Sequence, residues 1–176
     1  YLDSVKKSEG LVKRVSDRKA VKREDGERVI LYDYIKKVNK RYRFFKFHAE
    51  LIKALQMVLD GKIKRLIISC PPRHGKSELS SRILPAAFLT QNPRGHVGIV
   101  SYSGKLAEGF SGNARSYYSE GGGTLDISSK SISQWHTHAG GSCWAVGVGG
   151  VVTGRDASLI IADDTLKGRQ EADSEA

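Results

Sequence analysis

The chain has 176 residues, a hydrophobic fraction of 39% and a formal charge of +10, a length that suits one domain with its own core. No apolar run approaches the roughly 20 residues that a membrane helix requires, and the charged N-terminus lacks the apolar stretch of a secretory signal. Two cysteines far apart in sequence match no metal-ligand spacing, so the composition points to a soluble, intracellular protein with free thiols.

The charge is unevenly spread. Residues 1–46 hold 15 Lys/Arg against 7 Asp/Glu, whereas the remainder holds 14 against 12. A basic arm thus precedes a nearly neutral body. Such an arm attracts polyanions such as DNA, and charge alone fits a solvated terminus equally well.

Residues 1 to about 40 are polar with scattered apolar positions and read as a flexible or weakly helical lead-in. The first boundary is therefore expected near residue 43, with a basic arm over 1–43 and a folded domain over 44–176. Within 44–59, Phe47, Leu51, Leu55 and Val58 recur at steps of three and four, predicting an amphipathic helix that Asp60-Gly61 ends. Leu66-Ile67-Ile68-Ser69 is short, apolar and β-branched, and reads as a buried strand. A helix is expected from Lys76 to about Leu89, with Pro85 kinking it or ending it early.

A second strand–helix unit follows, with a strand over 96–101 and a helix from Lys105 to about Tyr118. Residues 133–138 and 142–148 flank Ala139-Gly140-Gly141 and predict a hairpin. His136 and His138 read as exposed strand residues, Trp135 and Trp144 as packing residues. A Gly-rich loop over 147–154 leads to a last apolar strand, Leu159–Ala162, ending at Asp163-Asp164. Strands alternating with helices predict an α/β fold with a mostly parallel sheet. Ligands in such sheets bind at the carboxyl ends of strands, where both Lys76 and Asp163 are expected.

The segment Cys70-Pro71-Pro72-Arg73-His74-Gly75-Lys76-Ser77 matches the phosphate-loop pattern G-x-x-x-x-G-K-[ST], except that Cys70 replaces the first glycine. In such a loop consecutive backbone N–H groups curl around the phosphates at a helix N-terminus. The candidate nucleotide-binding residues are Pro72, Arg73, His74, Gly75, Lys76, Ser77 and Glu78. Gly75 permits close approach, Lys76 reaches the β- and γ-phosphates, and the Ser77 hydroxyl faces Mg²⁺. Asp163, closing an apolar strand, is the expected second Mg²⁺ residue. Asp164 or Glu171 is the candidate for activating water, and Arg155 for stabilising charge on the γ-phosphate.

These blocks, from Phe47-His48 through LIISCPPRHGKSEL and GVGGVVTGR to LIIADD, resemble the N-terminal ATPase domain of the large terminase subunit of tailed bacteriophages and prophages. The resemblance implies an ASCE-type P-loop NTPase that uses ATP and Mg²⁺ to drive double-stranded DNA into a procapsid. It also implies a portal protein and a small terminase subunit as partners, a homo-oligomeric ring, no membrane, and the cytoplasm of the infected or prophage-bearing bacterial host. Arg155 looks like the arginine finger that some members supply to a neighbouring subunit. His48 stands where a glutamine contacting adenine is often found. Two departures are Asp164 in place of the usual glutamate, and an expected ATPase domain incomplete at its C-terminal side, without the nuclease domain. Alternative readings are a helicase-like P-loop motor and a non-hydrolysing nucleic-acid-binding module.

Overall fold

A computed structural model describes residues 27–129 and 131–166; the basic arm before Glu27 and Glu171 lie outside them. The first element is helix α1, Leu31–Val38, which buries Leu31, Tyr34, Ile35 and Val38. Their spacing of three, four and seven is an amphipathic stripe, so this part of the expected lead-in is instead core. Two buried glutamines anchor its start. Leu31 N–H donates to Gln56 Oε1 at 2.7 Å, and Val29 N–H donates to Gln91 Oε1 at 2.9 Å.

Helix α2, Lys46–Leu59, is the expected amphipathic helix, but its buried stripe is turned by about one position. His48, Ile52, Leu55 and Leu59 face inward, while Phe47 is 41% exposed. Hydrophobic spacing alone did not distinguish a core contact at Phe47 from an outward-facing ring beside the next loop.

Leu66–Ser69 is not a strand. Ile67 is almost fully exposed, and a cleft of about 440 Å³ separates Leu66–Ile68 from Leu159–Asp163. A β-branched run becomes a strand only when a neighbour takes up its ladder hydrogen bonds, and no described strand lies alongside it.

Helical structure begins at Lys76, passes through a π-helical stretch, Glu78–Ile83, and continues as α3, Leu84–Gln91. Pro85 neither ends it nor begins a loop. A proline lacks the N–H that would bond the carbonyl four residues back, and the wide turn just before it absorbs that mismatch. Leu79, Ile83, Ala86, Ala87 and Leu89 are buried along this rod.

The sheet has four strands in the order β2–β3–β1–β4, where β1 is His96–Ser101, β2 Gln134–His136, β3 Ser142–Gly147 and β4 Leu159–Ala162. Strand β1 is parallel to both β3 and β4, and β2 pairs antiparallel with β3 as the expected hairpin. The fold is thus α/β, with an open mixed sheet flanked by helices. Helix α4, Gly104–Glu120, follows β1 and is capped by Ser103, whose Oγ accepts from Leu106 N–H. It covers one sheet face, where Ser111 Oγ accepts from Trp135 Nε1 at 3.1 Å and lies 3.8 Å from Cys143 Sγ. Both tryptophans are core residues and both cysteines are free, as expected. Among the described residues no helix is long and apolar enough to cross a membrane.

Candidate functional site

The parallel pairing places the ends of β1, β3 and β4 together. Asp163 N–H donates to Val100 O at 2.9 Å, and Tyr102 N–H donates to Asp164 O at 3.0 Å. These bonds carry the β4 ladder one step beyond the strand and deliver the Asp163 side chain to the sheet's carboxyl edge. There it meets the helix that begins at Lys76.

Lys76 Nζ lies 2.8 Å from Asp163 Oδ1, and Ser81 Oγ donates to Asp163 Oδ2 at 2.7 Å. Asp163 is only 3% exposed. Burial works against its charge, but hydrogen bonds from Lys76, Ser77 and Ser81 outweigh it and hold the carboxyl below its ordinary value. The same hydrogen bond holds the Lys76 ammonium above its usual range, against a smaller opposing effect of burial. Residues 87 positions apart in sequence, Lys76 and Asp163, therefore form one polar centre.

The loop before Lys76 is bent by two left-handed residues, Arg73 at φ 63° and Gly75 at φ 79°. Alternating left-handed positions curl successive N–H groups toward one side. For arginine this conformation is strained, and such strain collects at ligand sites. A side chain at Gly75 would also come within 3.1 Å of His48 Nε2 and Tyr42 Oη. The close approach expected at Gly75 is therefore made by protein atoms as well.

A cavity of about 510 Å³ lies over this loop, lined by its residues together with Arg82, Phe110 and Asp164. Pro72, Arg73, His74, Gly75, Lys76, Ser77 and Glu78 all reach it. Glu78 is heavily engaged within the protein: Oε1 accepts from Tyr117 Oη at 2.5 Å and Asn39 Nδ2 at 2.9 Å, and Oε2 from Arg82 at 2.8 Å. Asp164 lines the cavity with a left-handed backbone at φ 54°. His48 sits under the loop, its Nε2 3.1 Å from His74 O.

Arg155 is not brought into this centre. Its guanidinium lies over the Trp144 ring, 5.4 Å from the centroid, and Trp144 Nε1 donates to Asp156 O at 3.0 Å. Three contributors escaped the sequence reading: Ser81, Tyr42 and Arg82. Ser81 had a signal, since it stands one helical turn beyond Ser77. Tyr42 and Arg82 had none, because their positions depend on packing between elements.

No protein-family model, curated protein or solved structure matches this chain.

Proposed function

We propose that this chain is the nucleotide-binding part of an ATP-driven DNA-packaging motor of the large-terminase type. The observation that carries the reading is the meeting of Lys76 and Asp163 at 2.8 Å, beside a loop whose curled backbone suits phosphate oxygens. A glycine-lysine-serine at a helix start occurs by chance. Its convergence with a buried aspartate at the end of a parallel strand is the arrangement that phosphoryl transfer calls for.

Ser77 and Asp163 supply one hydroxyl and one carboxylate, a donor set that suits Mg²⁺ shared with phosphate oxygens and water. The ion, when bound, would neutralise charge on the β- and γ-phosphates. Lys76 then leaves Asp163 and its ammonium binds the phosphate oxygens. Hydrolysis forms a bond from a water oxygen to the γ-phosphorus and breaks the bond to the β–γ bridging oxygen, releasing ADP and phosphate. Asp164 or Glu171 takes the water's proton. In a ring of subunits Arg155 acts on a neighbour's nucleotide, consistent with its lying away from the cavity in its own chain. The net positive charge and basic arm suit double-stranded DNA as the cargo, with portal and small terminase subunits as partners.

Titration of the chain with ATP, with and without Mg²⁺, tests the reading. Binding that strengthens with Mg²⁺ and is lost in Lys76→Ala supports it. Unchanged binding in Lys76→Ala, or none at millimolar ATP, removes the site assignment. No binding at millimolar ATP favours the alternative of a non-hydrolysing module that binds nucleic acid through its basic arm.

A further inference from the structure

The cavity over the phosphate loop holds a cation that the phosphate-loop pattern does not include. Arg82 lies beyond the pattern's last residue, Ser77, and lines the cavity with Lys76 and Asp164. The π-helical stretch Glu78–Ile83 carries it there, with Leu84 N–H donating to Leu79 O across the wide turn. A π turn bonds residue i+5 back to residue i, where an α-helix bonds i+4. The wider turn brings Arg82 toward the side of the helix that carries Ser77, and such turns collect at functional sites.

Two ion pairs in this cavity are built alike. Asp163 holds Lys76 and is braced by Ser81. Glu78 holds Arg82, with Nη1 2.8 Å from Oε2, and is braced at Oε1 by Tyr117 Oη and Asn39 Nδ2. Burial and the Glu78 carboxylate push the Tyr117 hydroxyl up from its ordinary value, so it stays protonated and donates. In each pair the carboxylate keeps a partner when its cation leaves. The cation is the more exposed member, 37% for the Arg82 side chain against 18% for Glu78.

Arg82 is also under-used where it rests. A guanidinium carries five N–H donors, and among the described residues this one makes a single hydrogen bond, to Glu78. Its Nε is buried without a partner. The group lies over the Phe110 ring, 5.5 Å from the centroid, and an aromatic face steadies a cation without consuming its N–H groups. A partly exposed pair four residues apart on a helix is weakly held. A planar fork with spare donors at the wall of a phosphate cavity suits phosphate oxygens.

Resting on the nucleotide reading above, we propose that Arg82 is a phosphate-binding residue that exchanges Glu78 for the phosphates of the bound nucleotide. Glu78 positions the arginine and does not touch the nucleotide itself.

Calorimetric titration of the full chain with ATP and with inorganic tripolyphosphate, both with Mg²⁺, tests this in Arg82→Gln, Glu78→Gln and the double variant. Arg82→Gln is expected to weaken both ligands about tenfold, the scale of one charge-assisted hydrogen bond. The same loss is expected when Arg82→Gln is made in the Glu78→Gln chain, where no carboxylate remains for the arginine to neutralise. A loss that disappears in that background means that Arg82 only masks Glu78, and overturns the proposal. So does an Arg82→Gln chain that binds as tightly as the unaltered one. If circular dichroism finds Arg82→Gln unfolded, modification of the unaltered chain by phenylglyoxal, which reacts with accessible guanidinium groups, decides the matter. Tripolyphosphate with Mg²⁺ is expected to protect Arg82 from the reagent, and an unchanged rate overturns the proposal. Loss of binding in Lys76→Ala with none in Arg82→Gln removes this proposal alone. Failure of both ligands to bind the unaltered chain overturns the nucleotide reading and this proposal with it.

Discussion

Lys76 and Asp163 form an ion pair at 2.8 Å in which the lysine side chain is 31% exposed and the aspartate 4%. The two groups proposed to hold phosphate and Mg²⁺ are thus also each other's partners. The lysine is the partner free to move, since the aspartate is also tied to Ser81.

Asp163→Asn should therefore act in opposite directions on two measurements. Freed from its partner, Lys76 binds phosphate more readily, and metal-free ATP affinity should rise about threefold, because a partly exposed pair contributes up to about 1 kcal/mol. Enhancement by Mg²⁺ should disappear. Calorimetric titrations with EDTA and with Mg²⁺ measure both, and an intact Mg²⁺ effect would remove Asp163 from the metal site.

Ser81 holds the second oxygen of the same carboxylate. Ser81→Ala leaves that buried oxygen without its donor, which costs about 1 kcal/mol or more. Apparent Mg²⁺ affinity in the presence of ATP should fall about fivefold, and Ser81→Thr, which keeps the hydroxyl, should recover part of it. Equal loss in both variants would indicate a packing role.

At the base of α1, Arg28 grips Asp60 through two bonds, Nε to Oδ1 at 2.8 Å and Nη2 to Oδ2 at 2.7 Å, with both side chains about one-tenth exposed. Removing one member of so buried a pair costs the other its two charge-assisted hydrogen bonds, so Asp60→Ala should lower unfolding free energy by about 3 kcal/mol. Burial opposes the Asp60 charge, but the Arg28 and Gln56 hydrogen bonds prevail and hold its carboxyl below the usual value. A depressed carboxyl stabilises the fold above its unfolded pKa, near 3.8, and that contribution fades as pH falls through the folded value. Asp163 behaves the same way. Lys76 has the opposite sign: its contribution is complete below 10.5 and fades as pH rises through its raised folded value. These groups make stability level from about pH 5 to about pH 9, with an acid fall that is shallower in Asp60→Asn. Urea denaturation at stepped pH measures the difference.

Gly98 faces Trp144 across the β1–β3 pairing, and a β-carbon there would lie 2.4 Å from the indole ring. Gly98→Ala should destabilise by about 1–3 kcal/mol through overpacking. Combining it with Trp144→Leu should cost less than the sum of the two single changes, because the clash partner has gone. Additive losses would mean that the ring is not the obstacle.

Much of this architecture is written locally. The strand over 96–101, the helix after it, the hairpin around Ala139-Gly140-Gly141 and the final strand 159–162 all follow from short-range pattern and turn chemistry. Gly75, Lys76 and Ser77 could be singled out for the same reason: backbone freedom, charge and a hydroxyl at fixed spacing are properties of the sequence itself. The readings that changed were those that required a neighbour. Helix α1 looked like a charged lead-in because its apolar stripe is diluted by lysines, and Gln56 and Gln91 only join it in three dimensions. Leu66–Ser69 has strand composition, yet composition cannot supply the adjacent strand that a ladder needs.

By itself, then, the sequence determined which residues could hold phosphate, because an anion-binding loop is local chemistry. Only the tertiary structure decided that Asp163 meets Lys76, that Ser81 braces it, and that His48 has both ring nitrogens engaged within the protein. Those facts arise from parallel pairing and helix packing, which join residues far apart in the chain through hydrogen bonds that no local spacing encodes.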